Sequence, residues 1–560
     1  GWSAKVESLN ETVVGALTRQ YMFLMLGAVG FAMLIVCANV ANLQLARAAA
    51  RAKEVAVRAA LGASRWRVIR QLLAESVLVS LLGASAGLLF GALGIKMILS
   101  NMPPDVARWI AGWNEIRLDL RVLAVTLAVA LLAGITSGLA PAIQSSKPEL
   151  NEALKVTGRT SAGRSRQRIR SFLVVAEMAL AFILLTGAGL MVRGLRALID
   201  LNQGFEPATL LTMQLNLSPS KYKTAAQRTA FYEQALRNLE SIPSVRSASL
   251  VSAVPFSSTG ISMSDLTIEG RPAKDLGEVR EAQIQIISPA YFRAMRVRLR
   301  EGRELNDGDA LDSLPVAVVS ANLAQRYWPG ENPIGRRLTL GRSSSGSHWL
   351  TVVGVAADVK QHWITREATP TLYLPYRQVP PAYSSIIVRT DGDPMQIVRL
   401  VRDQMVAVDS NQPIYEVKTL QQVIAESTVG LAYIAVVMTI LGTVALVLSS
   451  VGVYGVIAYS VSERTHEIGI RMALGAGRRQ ILDMVLGQGA ALTVAGLSIG
   501  VPASVFLARM LASIIFGVSA TDLTTFAGLI VILTAIALLA CYIPALRAVR
   551  VSPITALRHE

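Results

Sequence analysis

Two stretches of the sequence align without a gap although they lie at opposite ends of the chain: Arg51-Ala-Lys-Glu54-Val-Ala-Val-Arg58-Ala-Ala-Leu-Gly62-Ala63-Ser-Arg65 and Arg464-Thr-His-Glu467-Ile-Gly469-Ile-Arg471-Met-Ala-Leu-Gly475-Ala476-Gly-Arg478. Each stretch follows one long apolar run and precedes another. Farther along, the Pro-Ala and Ala-Leu pairs that begin at Pro141 and Ala153 recur at Pro544 and Ala556. Such self-similarity indicates a duplicated structural unit. The sequence therefore predicts two copies of a unit with three helices.

The composition predicts that these helices cross a membrane. Hydrophobic residues make up 52% of the chain and charged residues only 16%, which is too apolar for a soluble protein of this length. Runs without charge, or with a single acid, that are long enough to span a bilayer as helices occur at 21–46, 76–95, 122–146, 171–192, 427–462, 484–508 and 523–546.

The charge distribution orients these seven predicted spans. The connections 47–75, 147–170 and 463–483, together with the tail 547–560, contain 21 basic and 8 acidic residues. An excess of Lys and Arg marks cytoplasmic connections, so the long segment 193–426 is expected on the outer side. The net charge of +16 thereby reflects membrane topology, and nucleic-acid binding is not expected.

The two copies differ in length. The second has an additional leading helix at 171–192, followed by the outer segment, whereas the first begins just before its helix at 21–46. By symmetry, an equivalent helix and outer domain are expected ahead of Gly1.

The outer segment has the patterns of a folded α+β domain. Helices are predicted at 225–239 and 394–406. Strands are predicted at 210–217, 247–254, 316–319, 349–356 and 385–388.

Each repeated stretch predicts a short basic helix followed by a turn. Its Glu and Arg are four residues apart and can pair on one helix face, which contributes about 0.3–0.5 kcal/mol. Gly62 and Gly475 stand where helices commonly end in a left-handed residue. A basic anchor on anionic headgroups is one interpretation. Lipid attraction does not require a fixed order of Glu, Arg and Gly-Ala, so the duplication favours a shaped contact with a protein.

These residues, with Leu173-Val-Val-Ala-Glu177-Met-Ala, Gly187-Ala-Gly-Leu-Met-Val-Arg193 and Gly204-Phe205, resemble the MacB/FtsX family of ABC transporter permeases, in the duplicated form abundant in acidobacteria. In that family this cytoplasmic helix docks on the ATPase subunit. The resemblance implies the same role for Glu54, Arg58, Gly62 and Ala63 and for Glu467, Gly469, Arg471, Gly475 and Ala476. The first copy has Ala56 where the second has Gly469, which predicts a weaker or differently shaped contact.

The resemblance also implies a domain organisation. A first FtsX-like permease half lies at 1–155, a basic linker and the fourth span at 156–196, a MacB-like periplasmic core domain at 197–426, and a second FtsX-like half at 427–560. The core domain is expected to be a porter-like βαβ portion split around a smaller β-rich lobe near Glu281 to Tyr376. The expected fold is a polytopic α-helical protein of the bacterial inner membrane with an α+β periplasmic domain.

The implied function is that of the permease subunit of an ABC export system. A separate ATPase, as a homodimer, would move the docking helices, and the spans would carry this motion to the periplasmic domain. Amphipathic molecules or peptides would then leave by a periplasmic adaptor and an outer-membrane channel. Two other interpretations stay open: a lipoprotein-releasing permease, and an FtsX-like regulator of a cell-wall hydrolase, whose usual four helices in one half fit the duplication less well.

No catalytic or metal-binding pattern accompanies these features. The sequence has no Gly-x-x-x-x-Gly-Lys-Ser/Thr phosphate loop and no Gly-x-Ser-x-Gly elbow. Its four histidines lack metal-ligand spacing, and its two cysteines lie in apolar runs. No enzyme, cofactor or metal is expected, and membrane lipid is the other expected partner. Glu177, the one acid inside a span, is a weak candidate site, and a snorkelling side chain or a local pair with Arg170 is the favoured interpretation.

Overall fold

A computed structural model describes residues 9–50, 64–102, 104–107, 113–145, 161–199, 203–257, 262–271, 280–341, 348–363, 367–511, 519 and 521–549. The chain divides into two compact units. One consists of Gly1–Arg196 with Leu431–Glu560, and the other of Ala197–Gly430.

The α-helices of the described residues are, in chain order, α1 (Leu9–Ala50), α2 (Arg65–Asn101), α3 (Pro104–Ala107), α4 (Leu120–Ser145), α5 (Ser161–Ile199), α6 (Ala225–Glu240), α7 (Tyr291–Met295), α8 (Ala321–Tyr327), α9 (Val398–Val408), α10 (Leu420–Glu463), α11 (Thr465–Ala473), α12 (Arg478–Met510) and α13 (Leu523–Val549). Short 3₁₀ helices occupy Trp113–Glu115 and Pro394–Ile397. Seven helices within the described ranges are long and apolar enough to cross a membrane, namely α1, α2, α4, α5, α10, α12 and α13. The predicted number and positions of the spans are confirmed.

The membrane unit has its tightest packing around α5. In the most hydrophobic part of α5, 56% of the residues are buried, compared with none in the corresponding part of α2. Val174, Met178 and Phe182 of α5 pack with Val453 of α10 and Phe526 of α13 in one apolar cluster. In the first half, α4 packs against both α1 and α2.

The second unit contains a sheet whose strands are, in chain order, β1 (Leu210–Asn216), β2 (Val245–Val251), β3 (Ser262–Ile268), β4 (Glu281–Ile287), β5 (Leu299–Gly302), β6 (Val316–Ser320), β7 (Arg337–Leu340), β8 (Leu350–Ala356), β9 (Thr371–Pro375), β10 (Tyr383–Thr390) and β11 (Ile414–Thr419). The neighbour order begins β11-β1-β10-β2. β1 is antiparallel to both β10 and β11, and β10 is antiparallel to β2. The chain thus forms two interleaved βαβ units, β1-α6-β2 and β10-α9-β11, in a split βαβ arrangement.

The strands β1, β10 and β2 of this portion are buried on both faces, and the edge strand β11 is half-buried. Leu211 and Met213 of β1 pack under α6 and α9 in one apolar cluster. Leu210, on the other face of the same strand, packs with Tyr291 and Phe292 of α7 in a second cluster.

The segment inserted between β2 and β10 forms a small closed barrel. Hydrogen-bonded pairs run from β4 to β3, β7, β8, β6 and β9, and β9 pairs again with β4. Its interior holds Leu266, Ala317, Leu338, Val352 and Leu372, as expected for inward-facing positions of a small barrel. The barrel begins with β3 at Ser262, ahead of the expected lobe boundary at Glu281. The predicted α+β fold of the outer segment is confirmed.

Candidate functional site

The second repeated stretch folds as the predicted short helix. α11 follows α10 after a single residue, Arg464, and α12 begins soon after its end. Ile468 is buried against Ile481 of α12 and Ala548 of α13. Gly469 is also buried. The inner face of α11 is therefore fixed on the cytoplasmic ends of two spanning helices.

The end of α11 explains the Gly-Ala pair. Gly475 has a φ of +96°, and its N–H donates to the Met472 carbonyl at 3.1 Å, while the Ala476 N–H donates to the Arg471 carbonyl at 2.9 Å. These two bonds define a Schellman motif. Nothing lies within 4 Å of a Cβ built on Gly475, so backbone conformation and not lack of space favours glycine. The predicted left-handed residue is confirmed.

The outer face of α11 carries a stripe that we call the docking stripe: Glu467, Ile470, Arg471 and Leu474. These positions lie three and four residues apart and so share one helix face. The Arg471 Nη2 donates to the Glu467 Oε1 at 2.6 Å, which confirms the predicted pair. The exposed fraction is 39% for Ile470 and 83% for Leu474. A charged pair beside two uncovered apolar side chains is suited to contact with another protein.

The first residues of α12 add exposed positive charge beside the docking stripe. Arg478 and Arg479 are exposed at its N-terminus, and the Gly477 N–H donates to the Gln480 Oε1 at 3.1 Å. The residues of the first copy, Glu54, Arg58, Gly62 and Ala63, lie outside the described residues, as does Ala56.

Glu177 is not where the sequence interpretation placed it. Its side chain has no exposed surface, whereas snorkelling would bring it to water. No hydrogen bond joins it to Arg170, whose Nε and Nη2 have no hydrogen-bond partner among the described residues. The guanidinium of Arg170 instead lies 3.8 Å from the centre of the Tyr459 ring. The expected snorkelling or local pairing was wrong because packing of α5 within the bundle buries Glu177.

Glu177 belongs to a polar cluster formed by α1, α5 and α10. The Asn42 Nδ2 donates to the Glu177 Oε1 at 3.3 Å, and the Ser449 hydroxyl donates to the Glu177 backbone carbonyl at 3.1 Å. The Asn39 Nδ2 donates to the Leu448 carbonyl at 3.1 Å. Asn39, Asn42 and Ser449 were missed in the sequence, although paired asparagines inside an apolar run were a usable signal.

An apolar cavity of about 300 Å³ opens among α1, α5, α10 and α12. Its walls include Phe23, Gly27, Leu190, Met438 and Leu507. In the orientation given by the charges, these positions lie in the outer half of the membrane. The cavity is suited to a hydrocarbon chain or another apolar group.

Two family models match this chain. Residues 171–403 match the MacB-like periplasmic core domain, and residues 26–150 and 439–553 both match the FtsX-like permease C-terminal model. The FtsX-like model matches the chain twice, in agreement with the internal repeat.

Individual proteins are also similar to parts of this chain. The chain is 28% identical over 294 residues to the probable syringafactin export ATP-binding/permease protein of Pseudomonas syringae, covering 50% of this chain and 42% of that protein. It is 25% identical to the uncharacterized ABC transporter permease YvrN of Bacillus subtilis, covering 59% and 79%. The crystal structure of the periplasmic region of MacB from Actinobacillus actinomycetemcomitans matches 42% of this chain and 97% of that chain, with a TM-score of 0.29 and 15% identity. The match with the first of these relatives spans less than half of its length.

Proposed function

We propose that this chain docks on a separate ATPase through the docking stripe. The chain belongs to the family of ABC transporter permeases that join FtsX-like permease domains to a MacB-like periplasmic core domain. It is a multi-pass protein of the bacterial inner membrane, with its core domain in the periplasm. Its matched domains are of the permease type, which is a non-enzymatic part of such a transporter. ATP hydrolysis is assigned by this proposal to the other subunit, expected to be a homodimer.

The exposure of Leu474 carries this proposal. The helix end is held by two backbone hydrogen bonds, so the side chain stands on a defined turn with most of its surface uncovered. Covering a leucine of this kind stabilises a complex by roughly 1.5–3 kcal/mol. The duplicated stretch with Glu54, Arg58, Gly62 and Ala63 supplies the second docking helix in this proposal, with a weaker contact because of Ala56.

The transported molecules are proposed to be amphipathic compounds or peptides. The support is the family and the name of the Pseudomonas relative, which refers to export. As in the MacB type, the spans would transmit the motion of the ATPase to the core domain. Substrate would then leave through a periplasmic adaptor and an outer-membrane channel.

The proposal is tested with a tagged full-length chain isolated from native membranes, by measuring the ATP-binding-cassette protein that co-purifies with it. Glu467→Lys should reduce this co-purification and uncouple ATP hydrolysis from transport. If α11 were a headgroup anchor instead, the added lysine would strengthen attraction to anionic lipid and would leave co-purification unchanged. Unchanged co-purification would therefore contradict docking.

Two matched controls separate docking from local helix stability. The double variant Glu467→Lys with Arg471→Glu restores an ion pair within α11 but exchanges the two charges of the docking stripe, so recovery is not expected. Leu474→Ser should weaken co-purification, whereas Leu314→Ser, at a 79% exposed residue of the periplasmic unit, should not. Gly475→Val should also weaken it, because a β-branched residue is strained at positive φ.

The apolar cavity favours a second candidate function, release of acylated molecules such as lipoproteins. Gly27 lines the cavity, and nothing lies within 4 Å of a Cβ built on it, so Gly27→Leu should fill the space without disturbing the helices. Gly30→Leu is the control, because Gly30 is equally unobstructed but does not line the cavity. Photo-crosslinking of a lipid with a reactive acyl chain should fall in the first variant only. Equal crosslinking in both variants would exclude the cavity as the acyl site.

A further inference from the structure

The polar cluster around Glu177 contains two buried acceptor atoms without a donor. The Glu177 Oε2 and the Asn42 Oδ1 have no hydrogen-bond partner among the described residues. The other atoms of the same two groups are already joined, since the Asn42 Nδ2 donates to the Glu177 Oε1 at 3.3 Å. Leaving a buried acceptor unsatisfied is unfavourable, and more so for a charged group. Two such atoms on one bonded pair of side chains require a common explanation.

An ionised carboxylate would also lack a counter-charge. In the sequence, α1 has no charged residue between Arg19 and Arg47, and α10 has none between Glu426 and Glu463. α12, which packs against α5 beside Met178, has none between Asp483 and Arg509. On α5, the charged residues nearest to Glu177 are Arg170 and Arg193. The Arg170 guanidinium lies over the Tyr459 ring, and its buried Nε and Nη2 form no hydrogen bond with Glu177. Arg193 bonds Asp522.

The Glu177 Oε2 atom is shielded from bulk water, so solvent does not supply the missing hydrogen bond. Glu177, Asn42 and Ser449 are all buried. A Cβ built on Gly452 of α10 would collide with the Glu177 Oε2, so the absence of a side chain there provides the space for the carboxyl group. A buried ion without a partner costs several kcal/mol, whereas a neutral carboxylic acid has an O–H that can donate.

We propose that Glu177 binds a proton and forms a cyclic acid–amide pair with Asn42. The carboxyl and carboxamide groups are planar and complementary. One proton on the Oε2 lets it donate to the Asn42 Oδ1, while the Asn42 Nδ2 continues to donate to the Oε1. A single proton, taken from water, thus satisfies both unpartnered atoms and removes the buried charge.

The position of the pair gives the proton a structural role. Asn42 lies in the first FtsX-like match and Ser449 in the second, whereas Glu177 lies on the leading helix α5. The protonated carboxyl group therefore joins the first permease half to α5, and the Ser449 hydroxyl joins the backbone of the same residue to the second half. Loss of the proton would place an unpaired charge at this junction and weaken it. Glu177 is in this sense a positioning residue, and the assignment is independent of the docking partner.

Infrared spectroscopy of the full-length chain in lipid nanodiscs tests the protonation directly. At neutral pH, the wild type should show the carbonyl stretch of a protonated carboxylic acid in an apolar environment, with a shift in D₂O if exchange occurs. This band should be absent from Glu177→Gln. Carboxylate bands that disappear in Glu177→Gln, without a protonated band in the wild type, would overturn the proposal and indicate a bound cation instead.

Thermal unfolding of variants tests the cyclic pair. Glu177→Gln should keep the melting temperature of the wild type, because the Gln amide can donate to the Asn42 Oδ1 and accept from the Nδ2. Glu177→Ala and Asn42→Ala should each lower the melting temperature by several degrees, and the double variant should be no less stable than the worse single variant. Ser449→Ala is a control that removes a bond to the backbone of the same residue and should leave the infrared band unchanged. A Gln variant as unstable as the Ala variant would contradict the pairing.

Discussion

The second spanning helices of the two halves, α2 and α12, have the same sequence design but different surroundings. When the alignment of Gly62 with Gly475 is extended along the chain, Gly83 and Gly87 of α2 stand opposite Gly496 and Gly500 of α12. On α12, Cβ atoms built on these glycines would collide with Met178 and crowd Ala179 of α5. On α2, nothing described lies within 4 Å of the equivalent atoms. A stripe of small residues thus allows close helix approach, and α5 occupies only the second stripe.

Nearer the cytoplasm, the second and third helices of each half make a close contact, and the larger residue of this contact lies on a different helix in each half. Ser76 of α2 faces Gly138 of α4, and Gly489 of α12 faces Cys541 of α13. The alignments of the second and third helices make these two pairs equivalent. In one half the side chain comes from the second helix, and in the other half it comes from the third. What the repeat preserves is the combined volume at the contact, as expected for close-packed interiors.

The largest effect is expected where α5 covers the stripe of α12. A Cβ built on Gly496 lies 2.5 Å from the Met178 Cβ and 3.2 Å from the Val175 carbonyl oxygen, so Gly496→Leu should reduce the free energy of unfolding by about 1–3 kcal/mol or more. Gly83→Leu should cause no loss, because its position is unobstructed and leucine is the better helix former. Thermal unfolding in nanodiscs measures both. Equal losses would show that another surface also covers α2.

A smaller effect is expected from relief of the contact between α12 and α13. Gly489→Ala should be destabilising because the new Cβ meets the Cys541 Sγ, and Cys541→Ala should relieve it because the Cys541 Cβ is 3.3 Å away. In the first half, Ser76→Ala should not relieve Gly138→Ala, since the Ser76 Cβ itself is 2.9 Å from the built atom.

Double-mutant cycles of unfolding free energy measure this difference, with a coupling of about 0.5–3 kcal/mol for neighbouring residues. Cys541→Ala is expected to restore part of the stability lost in Gly489→Ala, whereas Ser76→Ala is not expected to restore the stability lost in Gly138→Ala. Similar rescue in both halves would contradict the exchange of large and small residues described above.

Features that depend on residues close together in the sequence were predicted, whereas features that depend on distant residues were not. The spans are readable because length and lack of charge suffice. The turn at Gly475 is readable because a Schellman motif involves only adjacent residues. The strands missed are Ser262–Ile268, Glu281–Ile287, Leu299–Gly302, Arg337–Leu340, Thr371–Pro375 and Ile414–Thr419. The strand Glu281–Ile287 contains Gln283 and Gln285, which are buried although they are polar. Its sequence therefore lacks the apolar pattern expected of a buried strand.

The contact between Glu177 and Asn42 was beyond sequence reasoning. These residues are 135 positions apart, and periodicity gives the face of a helix but not the helix that covers it. For the same reason the exposed Leu474 was not singled out. Of the residues named from the second copy of the repeat, Glu467 and Arg471 lie on the docking stripe and Gly469 is buried. The two apolar members of the stripe emerged only from the packing of the inner face.

The smallest expected effect concerns the residues that cap the third helix of each half. Asp119 accepts from the Val122 N–H at 2.8 Å before α4, and the equivalent Asp522 accepts from the Thr525 N–H at 2.9 Å before α13. Loss of such a cap costs roughly 0.5–2 kcal/mol. Asp522 also accepts from the Thr525 hydroxyl and bonds Arg193 of α5, so Asp522→Ala should be the more destabilising of the two changes.

The pH dependence distinguishes the two caps further. The hydrogen bond from the Thr525 hydroxyl, together with the backbone N–H and Arg193, holds the pKa of Asp522 below its usual value. A carboxyl group with a lowered pKa in the folded state stabilises above its unfolded pKa, and this contribution is lost as the pH falls through the folded pKa. The melting temperature of the wild type should therefore fall toward acidic pH more steeply than that of Asp522→Asn. Identical pH profiles would show that the additional bonds to Asp522 do not stabilise the second half.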